Sequence, residues 1–220
     1  MTIDEKLKAF FEGKKVVILG FGREGRSTLK LLGNCNCKSI TVADMNPVPE
    51  SEAEGCTLCC GEDYLTCLDD CDVIMKAPGV ILKNIVSDEI KAKITSQTDL
   101  FLRFCDNMII GITGTKGKST TSSLIKFFIE KSGKDTIIGN IGVPPLERRE
   151  EFTKDCVIVC EMSCHQLEYV KASPDVAVLL NVYPEHLDHY TDFAAYRNAK
   201  LNIFRYQNEN DTLIIGEEVK

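Results

Sequence analysis

The ten residues Gly111-Ile-Thr-Gly-Thr-Lys-Gly-Lys-Ser-Thr120 constrain this chain more than any others. They leave an apolar run of strand length, MIIGIT (108–113), and lead into a helical pattern, SLIKFFIEKSG (123–133), that ends at Gly133. A strand that feeds a glycine-rich turn, which in turn opens a helix, is the building unit of parallel α/β proteins. Backbone N–H groups of such a turn can cradle phosphates. Here Lys118 can neutralise the outer phosphates, and the Ser119 hydroxyl can ligate Mg²⁺. Gly114, Thr115, Lys116, Gly117, Lys118, Ser119 and Thr120 are therefore the candidate ATP-binding loop. The strict phosphate-loop pattern needs glycine five positions before Gly117, and Ile112 stands there, so the loop is a variant.

A second turn of the same kind lies earlier. VVILG (16–20) is a continuous apolar run, and Gly20-Phe21-Gly22-Arg23-Glu24-Gly25 follows it into a helix that runs through Arg26 to Leu32. Asp44 closes the next strand, SITVAD (39–44), 19 residues after Gly25, where a dinucleotide fold sets an acid against a ribose. This turn alone predicts a nucleotide-type ligand, with a nicotinamide cofactor and a packing-only turn as alternatives. Further apolar runs read as strands: DVIMKAPG (72–79), stopped by Pro78 and Gly79, then CVIVCEMS (156–163), DVAVLLNV (175–182) and TLIIG (212–216). The N-terminal fifteen residues read as a short amphipathic helix, and DFAAYRNAKLNIFRY (192–206) as another. Fully apolar strands alternating with helices predict α/β architecture with parallel sheets. Each glycine-rich turn opens its own unit. The expected organisation is a Rossmann-like domain over 1–100 followed by a P-loop-type domain over 101–220, with the boundary near 98–107 and the second sheet incomplete where the chain stops after a strand.

Charge narrows the partners. The net charge is −7 and no basic block occurs, which argues against nucleic acid or an anionic membrane as partner. No apolar run is long enough to span a bilayer, and the charged N-terminus does not read as a signal peptide, so a cytoplasmic location is expected. The eleven cysteines are then expected as thiols. Cys35, Cys37, Cys56, Cys59, Cys60, Cys67 and Cys71 cluster in sequence, but without a clean pair of C-x-x-C knuckles they read as small buried residues rather than a zinc site.

Downstream, Glu161 ends a strand, where ligands gather in parallel sheets, and it could share a Mg²⁺ with Ser119. Two of the three histidines, His186 and His189, lie within five residues of Glu185 and Asp188, a set able to hold a second metal. Lys200 follows on a helix.

Taken in order, G-x-T-G-T-x-G-K-S-T, E-M-S-C-H-Q-L-E (161–168), N-x-x-x-E-H-L-D (181–188) and A-K-L-N-I-F (199–204) resemble the Mur ligase family, the ATP-dependent amide-forming enzymes of peptidoglycan precursor synthesis. GFGREG (20–25) and K-A-P-G-V (76–80) are most similar to the member that adds D-glutamate to UDP-N-acetylmuramoyl-L-alanine. The resemblance implies that the first domain binds the uridine nucleotide-sugar, with Arg23, Glu24, Asp44, Met45, Asn46 and Gly79 lining it and Asn140 and His186 touching the same substrate. It implies catalytic roles for Lys118, Glu161, His186 and Lys200. It implies two Mg²⁺ ions, one on Ser119 and Glu161, the other on His186 and a carbamylated Lys200. The sequence departs from the family pattern at Glu185, where aspartate is usual, and at Cys164 and His165, which replace a serine and an aromatic residue. The family's third domain, which holds the incoming amino acid, has no counterpart here, so a fragment with little ligase activity of its own is expected. An NAD-binding oxidoreductase, a sister ligase adding L-alanine and a non-catalytic P-loop module are the competing readings.

Overall fold

The computed structural model describes residues 1–82, 86–139, 143–186 and 188–219. The chain divides into two compact units, Met1–Leu100 and Phe101–Lys220.

In the first unit, Thr2 caps helix α1 (Ile3–Phe11) through a capping box with Glu5, satisfying two backbone donors that a free helix end leaves open. Strand β1 (Lys15–Leu19) leads through the glycine turn into α2 (Arg23–Leu32). Then come β2 (Ser39–Asp44), β3 (Thr57–Cys60), β4 (Val73–Lys76), α3 (Asp88–Lys93) and the two-residue β5 (Ile94–Thr95). Helix α4 (Gln97–Phe104) spans the division between the units. The sheet is wholly parallel in the order β3-β2-β1-β4-β5. The order reverses between β1 and β4, and at such a reversal the strand ends leave a crevice for a ligand. Val16, Ile18, Val42 and Ile74 are buried in this sheet, each worth roughly 1.5–3 kcal/mol of transfer free energy.

The second unit runs β6 (Ile109–Thr113), α5 (Lys118–Lys131), β7 (Thr136–Gly139), β8 (Val157–Glu161), the short α6 (Cys164–Leu167), β9 (Val176–Leu179), α7 (Phe193–Arg205) and β10 (Thr212–Ile215). Its parallel order is β10-β9-β6-β8-β7. The path leaves β6 in one direction toward β7 and returns in the other toward β9 and β10. Right-handed crossovers then put α5 on one face and α6–α7 on the other. Ile112, Val159 and Val178 form the apolar centre, with Ile125 and Ile129 of α5 packed against them. Gly111 is needed here for close approach: a Cβ on it would lie 2.6 Å from Pro174. Asp192 caps α7 by accepting from the Ala195 N–H.

The two glycine turns, the long helix after the second and seven of the strands stand where the sequence puts them. Three strand ends differ. The run 72–79 pairs only over Val73–Lys76, 156–163 only to Glu161, and 175–182 only to Leu179, because the chain leaves the ladder to form the loops of the strand ends. Strands β3, β5 and β7 and helices α3 and α4 are further elements that the apolar patterning did not single out. Among the described residues no helix is long and apolar enough to cross a membrane.

Candidate active site

In the second unit the C-terminal ends of β6, β8 and β9 share one edge of the sheet, and the loops that leave them carry the chemistry. Gly117 sits at φ 88° immediately before α5, a left-handed conformation that glycine adopts without strain. Asn181, after β9, pins the loop: its backbone carbonyl accepts from the Thr115 N–H at 3.0 Å, its side-chain oxygen accepts from the Lys116 N–H at 2.9 Å, and its amide donates to the Lys116 carbonyl at 3.1 Å. Gly114 is wedged beside Leu180, whose Cβ would lie 3.0 Å from an added methyl.

Two ammonium groups converge on one carbonyl. Lys118 Nζ donates to the Gly114 oxygen at 3.0 Å, and Lys200 Nζ donates to the same oxygen at 2.9 Å. Lys200 is 2 % exposed on α7, and its Nζ lies 5.0 Å from the centre of the Tyr196 ring, one helical turn earlier. Burial lowers the Lys200 pKa to about 8, because a low-dielectric site disfavours the charged amine. The Tyr196 hydroxyl is within 2.9 Å of Thr115 Oγ1, so α7 is tied to the loop twice.

A pair of side-chain oxygens lies at the start of α5. Ser119 Oγ donates to Glu161 Oε2 at 2.7 Å, linking the first turn of α5 to the end of β8. Lys116, the other loop lysine, reaches Glu185 at 3.0 Å, and that ammonium holds the Glu185 carboxyl below its usual range. His186 Nε2 is 3.6 Å from the other Glu185 oxygen. His186 has φ 56°, the one non-glycine residue with positive φ among the described residues; strained backbone of this kind costs about 1–3 kcal/mol and collects at functional sites. Of the candidate residues, Lys118, Ser119, Glu161, Lys200, Glu185 and His186 thus all belong to one loop cluster. Gly114, Thr115, Lys116 and Gly117 form its floor, and Thr120 is exposed in the first turn of α5. Asn181 and Tyr196 were not singled out as site residues. Tyr196 could have been found from its spacing, since residues four apart share a helix face.

The first unit builds a different kind of site. Gly20 sits at φ 90°, with a would-be Cβ 2.5 Å from Val80. A Cβ on Gly25 would lie 2.2 Å from the Gly20 carbonyl oxygen, whereas one on Gly22 meets nothing within 4 Å. Asp44 Oδ2 accepts from the Phe21 N–H at 2.7 Å and Oδ1 from the Asn46 N–H at 2.8 Å. The carboxylate therefore holds the glycine turn against the end of β2. Arg23 is exposed at the start of α2 beside half-buried Glu24, Met45 is 64 % exposed, and Gly79 follows β4 across the crevice. Asn140 lies outside the described residues.

Residues 112–220 match the family model described as the Mur ligase middle domain. The UDP-N-acetylmuramoylalanine–D-glutamate ligase of Clostridium botulinum is 36 % identical over 224 residues, an alignment that covers 97 % of this chain and 49 % of that protein. The protein of the same name from Clostridium kluyveri is 34 % identical over the same share. The chain spans about half the length of the curated relatives it matches. Among solved structures, UDP-N-acetylmuramate:L-alanyl-gamma-D-glutamyl-meso-diaminopimelate ligase from Neisseria meningitides superposes with a TM-score of 0.50 at 18 % identity, covering 93 % of this chain and 72 % of that one. That likeness concerns the fold.

Proposed function

Because the chain belongs to the Mur ligase family, we propose that it carries the nucleotide-sugar-binding and ATP-binding parts of an enzyme that joins D-glutamate to UDP-N-acetylmuramoyl-L-alanine. The observation that carries this reading is the convergence of Lys118 and Lys200 on the Gly114 carbonyl beside the Ser119–Glu161 pair. Two cations and two oxygen donors around a glycine-rich loop suit a polyphosphate with its metal, and a packing turn has no use for them.

The first unit holds the uridine diphosphate in this reading. Gly22 leaves open space at the N-terminus of α2, where backbone N–H groups attract phosphate. Arg23, Glu24, Asp44, Met45, Asn46 and Gly79 belong to the turns at that end of the sheet. Asp44 acts there mainly by holding the turn in shape.

In the second unit, ATP lies on residues 114–120. Lys118 exchanges its bond to the Gly114 carbonyl for the outer phosphates, and the loop N–H groups hold the rest. The oxygens of Ser119 and Glu161 fit Mg²⁺, which prefers hard oxygen donors. A second ion would be held by His186 and by Lys200 once its amine has taken up CO₂ as a carbamate. Deep burial and the lowered pKa of Lys200 support that modification, which requires the neutral amine. Bound Mg²⁺ supplies charge compensation on the transferring phosphoryl group. The substrate carboxylate attacks the γ-phosphate and ADP departs, leaving an acyl phosphate. The D-glutamate amine then attacks the acyl carbon, and inorganic phosphate leaves. Lys118 steadies the negative charge in the first step, and the pinned loop keeps the reacting groups in line.

Thermal denaturation of the 220-residue chain with a panel of ligands tests the reading. UDP-N-acetylmuramoyl-L-alanine and MgATP should each raise the melting temperature, by about 2.7 kcal/mol of stabilisation at a hundredfold excess over Kd. Stabilisation by NADH with no response to either of these would replace the reading with an oxidoreductase. A larger response to UDP-N-acetylmuramate lacking alanine would point to a sister ligase.

A further inference from the structure

Next to the proposed ATP loop, a second set of side chains has a softer chemistry. Cys164, His165 and His186 each offer one ligand atom, a sulfur and two imidazole nitrogens, and these atoms lie within 4.8 Å of one another. Cys164 and His165 open α6, whereas His186 comes from the loop after β9. The thiol forms a buried base at 2 % exposure, His165 is half-buried, and His186 is exposed at the mouth. Cys164 and His165 are also the two positions at which the 161–168 segment departs from the family pattern.

The histidine rings are held by their neighbours. His165 stacks parallel to Tyr190 at 5.8 Å between centroids, packs on His189 at 4.2 Å and meets His186 edge-on at 4.8 Å. His189 is buried and is fixed in turn by Glu168, 3.2 Å from its Nε2. Two ligand positions are therefore set by packing, and the third belongs to an exposed side chain that can turn. Tetrahedral zinc, with bonds of about 2.0–2.3 Å, sets its ligand atoms roughly 3.3–3.8 Å apart. The cluster closes to that spacing with a shift of about an ångström, which rotation of His186 can supply.

We propose that Cys164, His165 and His186 form a binding site for a thiophilic divalent cation, with zinc the best fit and a fourth position open to water. A thiolate and two imidazoles select such an ion over Mg²⁺, which takes oxygen donors in octahedral geometry. On binding, the Cys164 S–H proton passes to solvent as the S–Zn bond forms. The site stands on this geometry alone. One consequence rests on the ligase reading: zinc bound here withdraws His186 from the nucleotide-sugar and Mg²⁺ site, so it opposes substrate binding.

Cobalt(II) substitution tests the site. The reduced 220-residue chain titrated with Co²⁺ should develop, at one equivalent, the near-ultraviolet thiolate-to-cobalt absorption and the visible bands of a tetrahedral ion, and Zn²⁺ should bleach both. Cys164→Ser should abolish the thiolate band. His165→Phe, which keeps a ring of similar size, should weaken Co²⁺ binding by at least about tenfold. Cys59→Ser and Cys67→Ser, in the first unit, should change nothing. The proposal is overturned if the unaltered chain gives no thiolate band, if the band survives in Cys164→Ser, or if His165→Phe binds Co²⁺ as tightly as the parent. Should Cys164→Ser fail to fold, the His165→Phe titration decides. Failure of UDP-sugar or ATP binding would leave the cobalt result untouched, so the two readings fail separately.

Discussion

The two glycine-rich turns have nearly the same sequence logic and very different interiors. In Gly20–Gly25 the glycines answer to the backbone: Gly25 is pressed against the Gly20 carbonyl, and Asp44 seals the turn by accepting from the Phe21 N–H. Arg26, just after that turn, donates to Glu52 and to the Phe21 carbonyl. In Gly114–Ser119 the glycines lie against Leu180, and cations gather on the loop, with Lys118 and Lys200 on one carbonyl and Lys116 on Glu185. Glycine spacing thus specifies a turn that lets backbone approach something closely. The lysines and their partners give the second turn a cluster of charge that the first turn lacks.

The largest expected effect lies in the first turn. Gly25→Ala puts a methyl 2.2 Å from a backbone oxygen that cannot move aside, so urea unfolding should lose about 4 kcal/mol or the first unit should fail to fold. Gly22→Ala, with nothing within 4 Å, should cost no more than about 1 kcal/mol, as a helix N-cap change. Equal costs for the two would erase the distinction drawn between packing glycine and open glycine.

Lys200 gives the next effect. Its folded pKa of about 8 lies below the ordinary lysine value of 10.5. Between those values the unfolded chain binds more protons, so this group makes stability rise with pH; below about pH 8 the cost of burying the charge is fully present. Half-buried thiols work the other way. Burial pushes Cys37 up to about 11 and Cys67 up to about 12, so they lose stability as pH rises past their unfolded values. The contribution of Lys200 is therefore read as a difference. Relative to Lys200→Met, the parent should gain up to about 3 kcal/mol from about pH 7.5 to about pH 10.5, in chelator and without bicarbonate. A flat difference would mean that the lysine is solvated.

A smaller effect than that of Lys200 belongs to Asp44. Asp44→Ala leaves the Phe21 and Asn46 N–H groups without their carboxylate and should cost about 1–2 kcal/mol in urea melts. A neutral result would show that the turn holds its shape without the acid.

Much of this was legible in the chain itself, for physical reasons. Strands buried on both faces read as unbroken apolar runs, which makes β1, β6, β8 and β9 plain. The half-buried Thr57–Cys60 strand and the two-residue Ile94–Thr95 strand carry too little apolar signal to stand out. Thr136–Gly139 is a similarly short run, behind the long helix α5. In the site, Lys118 and Ser119 announce themselves by spacing. Lys200 needed the family pattern, because nothing local distinguishes a lysine buried at 2 % exposure from one on a helix surface. The gathering of Cys164, His165 and His186 joins the first turn of α6 to the loop after β9 and is invisible without the fold.

Calorimetric titration of the 220-residue chain and its Lys118→Ala variant, with MgATP and with UDP, tests most directly whether the two turns are separate nucleotide sites. Both ligands should bind the parent chain. Lys118→Ala should weaken MgATP by about a hundredfold, close to 2.7 kcal/mol, and leave UDP within about twofold of the parent. Equal loss of both ligands, or MgATP binding unchanged by Lys118→Ala, would contradict the account.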